Sequence, residues 1–273
     1  MSTVFRVPFY RYMPYIGFHH ILMFLNVTAI VLWSILLAGC SSSNDLRNVY
    51  LLSLSYKDKT ATPLTDPLQV NPSFGTTFSN ALKDSTNATF KQINISHMST
   101  CIKLVNDVWI CGSNAQELVD ALKSYPQSDP LNLAWAIHKF QSESIFYPLI
   151  FVAIIFASVS TVLLMTFPGW HAEEDSEGSD REILPFPSRR ASTAAFLSTG
   201  VASTLSFISV FWQHIACACA SSLFEALTYG LVDVHIGSAS MALGWVGFGI
   251  SCVSSLGMLL LILSFKLLAE LTV

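Results

Sequence analysis

Four long stretches of apolar residues, nearly free of charge, interrupt an otherwise mixed pattern of hydrophobic and polar positions. They cover residues 16–39, 145–167, 194–218 and 241–265. A helix that spans a membrane needs about 20 consecutive, mainly apolar residues. The pattern therefore predicts a membrane protein with four transmembrane α-helices.

The first apolar stretch ends in LLAGCSSSN, residues 36–44, which also has the form of a lipoprotein cleavage box ahead of Cys40. The apolar part of a signal peptide is about 7–15 residues long. The stretch here is longer, and three further spans follow it. We interpret the box as the point where span one leaves the membrane.

The positions of Arg and Lys in the short connections predict the orientation of the spans, because such residues accumulate on the cytoplasmic side. They occur in 1–15, 168–193 and 266–273, whereas 219–240 has none. This predicts a multi-pass protein with both termini and an acidic loop, 168–193, in the cytoplasm. The long loop 40–144 and the loop 219–240 are then extracellular. Within the acidic loop, 171–190 is predicted to be disordered and solvated, with binding to a cytosolic partner as an alternative.

The long loop contains patterns of a small β-sheet and short helices. Strand-like segments occur at 48–56, 88–98 and 108–111, and 57–80 has the composition of a loose loop. Helical patterns occur at 116–124 and at 131–140, where Asp129-Pro130 supplies a cap and a first-turn proline. The second helix is expected to run directly into span two.

Six cysteines raise the question of disulfides. Cys101 and Cys111 lie on the predicted oxidising side, close to two strand-like segments, so we predict that they form a disulfide. Free thiols or a metal site are the alternatives. A second bridge from Cys40 to Cys217 or Cys219 stays open, and Cys252 is expected to be buried and inert.

Three sites of modification are suggested by short motifs. Asn87 and Asn94 lie in glycosylation sequons of the long loop, although such tripeptides also occur by chance. Ser192 follows Arg189-Arg190 and is a candidate for a basophilic kinase. Two arginines that serve only to anchor span three are the alternative.

Composition and residue types predict no enzyme. The charged fraction is only 12%, the net charge is −4, and no basic stripe suggests nucleic-acid binding. No pair of acids or histidines lies in the middle of a span, so we expect no catalytic residues, no cofactor and no metal site. His214 in span three is expected to pack or hydrogen-bond within the bundle, and His97 is interpreted as an ordinary loop residue.

The chain resembles the claudin-like tetraspan group, and within it the fungal factor-induced mating family of calcium regulators and membrane fusion proteins. The resemblance lies in LLAGCSSSNDLRNVYLLSLSY, in DPLNLAWAIHKF, and in Cys101 and Cys111 with Trp109 before the second cysteine. It covers residues 16–265. It implies a left-handed four-helix bundle in the plasma membrane, concentrated at cell contact sites, that promotes low-affinity calcium influx and cell fusion during mating.

One family motif departs from the expected pattern. The family has Gly, two bulky apolar or aromatic residues, Gly, any residue and Cys; the matching residues here are Ser96, His97, Met98, Ser99, Thr100 and Cys101. Both glycines have become serine. If those glycines allow a tight turn or a close approach, this chain is altered there.

The absence of an acid in the middle of any span favours a regulator or adhesion factor over a calcium pore. The alternative function is a structural organiser of plasma-membrane domains, similar to eisosome or ambient-pH-sensing tetraspans. The expected partners are the lipid bilayer and other membrane proteins, calcium channels among them. Whether the protein forms a homo-oligomer is left open.

Overall fold

A computed structural model describes residues 17–41, 46–56, 90–113, 129, 131–167, 171–174, 180–183, 188–228 and 232–271. Packing of the backbone divides the chain into two units. The first holds the described residues of 17–31, 150–206 and 246–271, and the second those of 32–149 and 207–245. Each unit is described by itself.

Within the described residues, four helices are long and apolar enough to cross a membrane, as the hydrophobic pattern predicts. They are α1 (Phe18–Leu37), α3 (Pro148–Met165), α4 (Arg189–Leu227) and α5 (Ser238–Leu271). With 39 residues, α4 is much longer than the predicted span 194–218. The extension beyond residue 218 is stabilised by packing, because Ala220 belongs to the apolar core beneath the sheet and Phe224 packs against that core.

The second unit contains an antiparallel sheet of five strands in the order β4-β3-β2-β1-β7. The strands are β1 (Leu52–Tyr56), β2 (Phe90–Ile95), β3 (Thr100–Leu104), β4 (Trp109–Gly112) and β7 (Val232–Ile236). Strands β1, β2 and β4 confirm the sequence prediction. Strands β3 and β7 were not predicted, and β7 brings the loop before the last span into the same sheet through its pairing with β1.

One face of the sheet buries an apolar core against the helix α2 (Leu133–Ser144). Leu133 and Ile137, one turn apart on α2, are almost fully buried with Leu54 and Ile93 of the sheet. Burying a side chain of this size contributes about 1.5–3 kcal/mol. The expectation that α2 continues into span two is wrong, because Ile145 adopts an extended conformation and the next helix begins at Pro148.

The acidic loop also differs from its prediction. Strands β5 (His171–Glu174) and β6 (Asp180–Ile183) pair in an antiparallel ladder, and α4 already begins at Arg189. The prediction of disorder for 171–190 is therefore wrong where the structure describes this loop. The predicted helix at 116–124 and the predicted loose loop at 57–80 lie outside the described residues.

The first unit joins its helices through small and polar residues. The Asn26 amide lies 3.4 Å from the Ser160 hydroxyl, which in turn lies 2.5 Å from that of Thr199. A side chain at Gly257 would place its Cβ only 2.5 Å from Cδ2 of Leu22, so the missing side chain lets these helices approach closely.

Candidate functional site at the end of span one

The Leu-Ala-Gly-Cys segment has a structural role at the end of α1. A Cβ on Gly39 would lie 2.4 Å from the carbonyl oxygen of Val49 and 2.5 Å from Oγ of Ser96. Only glycine fits between these two atoms without displacing backbone. Cys40 then adopts a left-handed conformation with φ of 54°, and its N–H donates to the carbonyl of Leu46, which turns the chain toward the sheet.

The motif with two serines forms the turn between β2 and β3, and we call Ser96–Ser99 the motif turn. The N–H of Ser96 donates to the carbonyl of Ser99 at 2.9 Å and closes it. The Ser99 hydroxyl donates to the carbonyl of Gly39. Neither serine is among the described residues with positive φ. The turn therefore forms without glycine, and the substitution does not force a strained backbone.

Gln141 of α2 makes two hydrogen bonds at the motif turn and the start of β3. Its Nε2 donates to the carbonyl of Ser96 at 3.0 Å, and its Oε1 accepts from the Thr100 hydroxyl at 3.3 Å. Asp129 holds the start of α2, since its carboxylate accepts the N–H of Ala134 at 2.7 Å. Asp129 therefore supplies the predicted capping hydrogen bond, but the helix begins later than predicted, at Leu133, with Asn132 in the N-cap position. Pro130 lies outside the described residues.

The disulfide between Cys101 and Cys111 is formed, as predicted. The two residues are direct partners in the β3–β4 register, with their Cα atoms 4.1 Å apart. Sγ of Cys101 also lies 3.1 Å from the carbonyl oxygen of Cys40. The disulfide thus closes the hairpin at the point where it contacts the end of span one.

Trp109, which precedes Cys111 by two residues, is surrounded by positive charge. The Arg47 guanidinium lies 5.5 Å and the Lys103 ammonium 5.8 Å from the centre of the indole ring. Both distances are within the range of cation–π attraction. The family's tryptophan therefore connects the hairpin to the segment that follows span one.

His97 corrects the expectation of an ordinary loop residue, because it is buried beneath the motif turn. With Gln213 and Trp212 of α4 it lines a cavity that has room for about one water molecule. Desolvation lowers the pKa of the His97 imidazole to about 4, although the Leu36 carbonyl and the Gln213 side chain favour its charged form. His97 is therefore neutral at physiological pH.

Two polar atoms face this cavity region without a hydrogen-bond partner, Nδ1 of His97 and Oε1 of Gln213. Buried polar atoms without a partner are costly, and a single ordered water commonly satisfies them. The Trp212 indole N–H is satisfied, since it donates to the carbonyl of Ser144 at 2.8 Å.

The structure argues against two of the predicted modifications. Asn94 is only 2% exposed in β2, and its Oδ1 accepts a hydrogen bond from Gln92, so a glycan on this amide would have to displace the sheet. Ser192 is 5% exposed in the first turn of α4, where its hydroxyl donates to the carbonyl of Ser188. The folded chain presents neither side chain to an enzyme. Asn87 lies outside the described residues.

The remaining predicted residues are separate from the motif turn. Cys40, Cys217, Cys219 and Cys252 are free, so no second bridge forms. The expectation that Cys252 is buried is wrong, because its side chain is only partly buried. Burial raises the pKa of the Cys40 thiol to about 12, which keeps it protonated.

Met98 is exposed on the turn, and the rings of His214 and Trp245 lie edge-on with their centres 6.3 Å apart. The described residues include no group of three or more His, Cys, Asp or Glu placed to hold a metal ion.

Sequence reasoning missed three residues that hold the site together, Gly39, Gln141 and Gln213. Each acts on the motif turn from a distant position in the chain, and none carries a local signal for that role. The Leu-Ala-Gly-Cys segment did draw attention to Gly39, but the close approach of Val49 and Ser96 became visible only after folding.

Comparison with known proteins identifies the family of this chain. Neither the search of curated proteins nor the search of solved structures found a match. A family model described as "Ca2+ regulator and membrane fusion protein Fig1" matches residues 78–264, more than half of the 273 residues. The matched region includes the motif turn, the disulfide, Trp109 and three of the four candidate spans. The chain therefore belongs to the Fig1 family of Ca2+ regulators and membrane fusion proteins.

Proposed function

We propose that this protein is a plasma-membrane protein that promotes low-affinity calcium influx and cell–cell membrane fusion during fungal mating. The observation that carries the proposal is the hairpin closed by Cys101–Cys111, which lies within the family match and is next to the contact of Ser99 with Gly39 at the end of span one. Such an arrangement fixes a small sheet to a membrane helix. In the proposed orientation the sheet faces a neighbouring cell, at sites where two cells meet.

The protein acts in this proposal as a regulator or adhesion factor and not as a pore. A calcium path needs oxygen ligands, preferably carboxylates. The four predicted spans, 16–39, 145–167, 194–218 and 241–265, contain no Asp or Glu. The polar residues Asn26, Ser160 and Thr199 contact one another across helices, which supports a packing role. Calcium then enters through another membrane protein or through membrane strain during fusion.

The test compares mating cell pairs with and without the gene, recording cytosolic calcium and the number of fused pairs. Loss of the calcium rise together with poor fusion supports the proposal. Normal calcium and normal fusion contradict it. Calcium currents from the purified protein in a synthetic bilayer would contradict the regulator role and assign a pore instead.

A structural organiser of membrane domains is the second candidate, favoured by a feature of this chain: both motif glycines are serines. The two functions differ in location. A regulator of fusion collects at the contact zone of mating cells, whereas an organiser of eisosome or ambient-pH-sensing type stays in stable cortical patches. Imaging of a tagged protein before and during mating separates them.

A further inference from the structure

The connection between β3 and β4 presents apolar side chains at its tip. Val105, Val108 and Ile110 are between 47% and 53% exposed. The turn itself is well defined, since the N–H of Leu104 donates to the carbonyl of Val108 and Asp107 takes a left-handed conformation with φ of 62°. Three-residue hairpin loops commonly place a left-handed residue there. The tip is thus an ordered element that exposes apolar surface.

The tip lies at the far end of the hairpin from the membrane helix. The motif turn contacts Gly39 at the end of span one, and β3 runs from Thr100 to Leu104 before the tip begins. Five residues of strand extend about 15 Å. The apolar tip therefore lies about one strand length from the residues that contact the end of span one.

Positive charge surrounds the tip. Lys91 and Lys103 both contact the carboxylate of Asp107, at 3.4 and 3.2 Å, and Arg47 and Lys103 flank Trp109. The two lysines and the Asp107 carboxylate together carry a net charge of +1. Exposed apolar side chains beside lysines are a combination that binds the interface of a phospholipid membrane.

We infer that the Val105–Val108 tip, with Ile110, is a lipid-binding element that inserts into the outer leaflet of an apposed membrane. The inference rests on the proposed function, because it requires the sheet to face a second cell. The disulfide at Cys101–Cys111 supports insertion by holding the hairpin in one conformation, so that little conformational entropy is lost on binding. Lys91 and Lys103 contact the phosphate groups while the apolar residues enter the acyl region.

The test uses the full chain in nanodiscs, which are floated with phosphatidylcholine vesicles that contain or lack an added anionic phospholipid. We expect binding that increases with the anionic lipid. The double variant Val105→Ser with Val108→Ser should bind the anionic vesicles at least about tenfold more weakly, since two apolar contacts are removed. Trp135→Ser is the matched control, because Trp135 is 56% exposed on α2 and lies outside the tip, and it should bind as the unchanged protein does.

A second variant tests the charge. Asp107→Asn keeps a residue that tolerates the left-handed conformation and removes the anion beside two lysines, so binding to anionic vesicles should rise about fivefold. Unchanged binding by the double serine variant would overturn the inference. Binding that requires a second copy of this chain or another protein in the target vesicles would also overturn it.

Failure of this inference is distinguishable from failure of the proposed function. If deletion of the gene abolishes fusion but the tip variants bind vesicles normally, only the lipid-binding tip is wrong. If deletion has no effect on calcium or fusion but vesicle binding depends on Val105 and Val108, the tip binds lipid and the mating function is wrong.

Discussion

The hydroxyl of Ser99 donates a hydrogen bond to the backbone carbonyl of Gly39 and so connects the sheet to the end of span one. Ser96, the first residue of the motif turn, differs from it. The Oγ of Ser96 is buried and has no hydrogen-bond partner. The two serine hydroxyls therefore contribute differently to the free energy of unfolding.

Removal of the hydroxyl group should affect the free energy of unfolding differently at Ser99 and at Ser96. Ser99→Ala should lower the free energy of unfolding by about 1 kcal/mol, since it deletes a hydrogen bond and leaves a carbonyl without its partner. Ser96→Ala should be neutral or stabilising, because it removes a buried polar atom that has no partner. Thermal unfolding of both variants in the same detergent measures the difference. Equal losses for the two would contradict the assigned contacts.

Gly39 should tolerate no side chain. Gly39→Ala places a Cβ against the carbonyl oxygen of Val49 and Oγ of Ser96, and backbone atoms cannot move aside cheaply. We expect a loss of about 2 kcal/mol or more in the free energy of unfolding. Gly249→Ala is the matched control, because nothing lies within 4 Å of its added Cβ and Ala favours a helix. If Gly39→Ala were as stable as the control, Val49 and Ser96 would not pack as closely against Gly39 as described.

The burial of His97 predicts that stability falls in mild acid. Its folded pKa of about 4 lies below the 6.5 of the unfolded chain, so the unfolded state binds more protons between these values. Stability is therefore complete above pH 6.5 and falls as the pH drops toward 4, by about 3 kcal/mol at most. The residues that line the cavity carry no other charged group.

The measurement is the unfolding midpoint as a function of pH. His97→Phe replaces the imidazole by an aromatic ring that cannot be protonated and should remove this part of the dependence. His235→Gln changes an exposed histidine of β7 and should leave the dependence as it was. A pH profile of His97→Phe identical to that of the unchanged protein would rule out the buried imidazole as its source.

Asn94 should carry no glycan in the folded protein. Its amide is buried in the sheet and hydrogen-bonded to Gln92. Enzymatic removal of N-glycans, followed by gel mobility, tests this with Asn94→Gln beside Asn87→Gln. We expect Asn94→Gln to leave the mobility shift unchanged. A shift that disappears with Asn94→Gln would mean that the sheet is modified before it forms.

The sequence determined the parts of this protein that depend on local pattern. Four apolar stretches of sufficient length predicted four spanning helices, because the length of an apolar run and the thickness of a bilayer are directly comparable. Alternating residues predicted β1, β2 and β4, and the placement of Cys101 and Cys111 beside strands predicted their disulfide. The sequence identified Asp129 as a partner for the first turn of α2, but it placed the start of that helix too early, because Asn132 occupies the N-cap position.

Only the tertiary structure decided the contacts between distant segments. Strand β7 pairs with β1 across more than half of the chain, and no local signal marks that partner. Gly39, Gln141 and His97 gain their roles because the motif turn lies against the end of span one and the side of α4. The periodicity of hydrophobic residues determines which face of a helix or strand is buried. Which other segment covers that face depends on the packing of the whole chain.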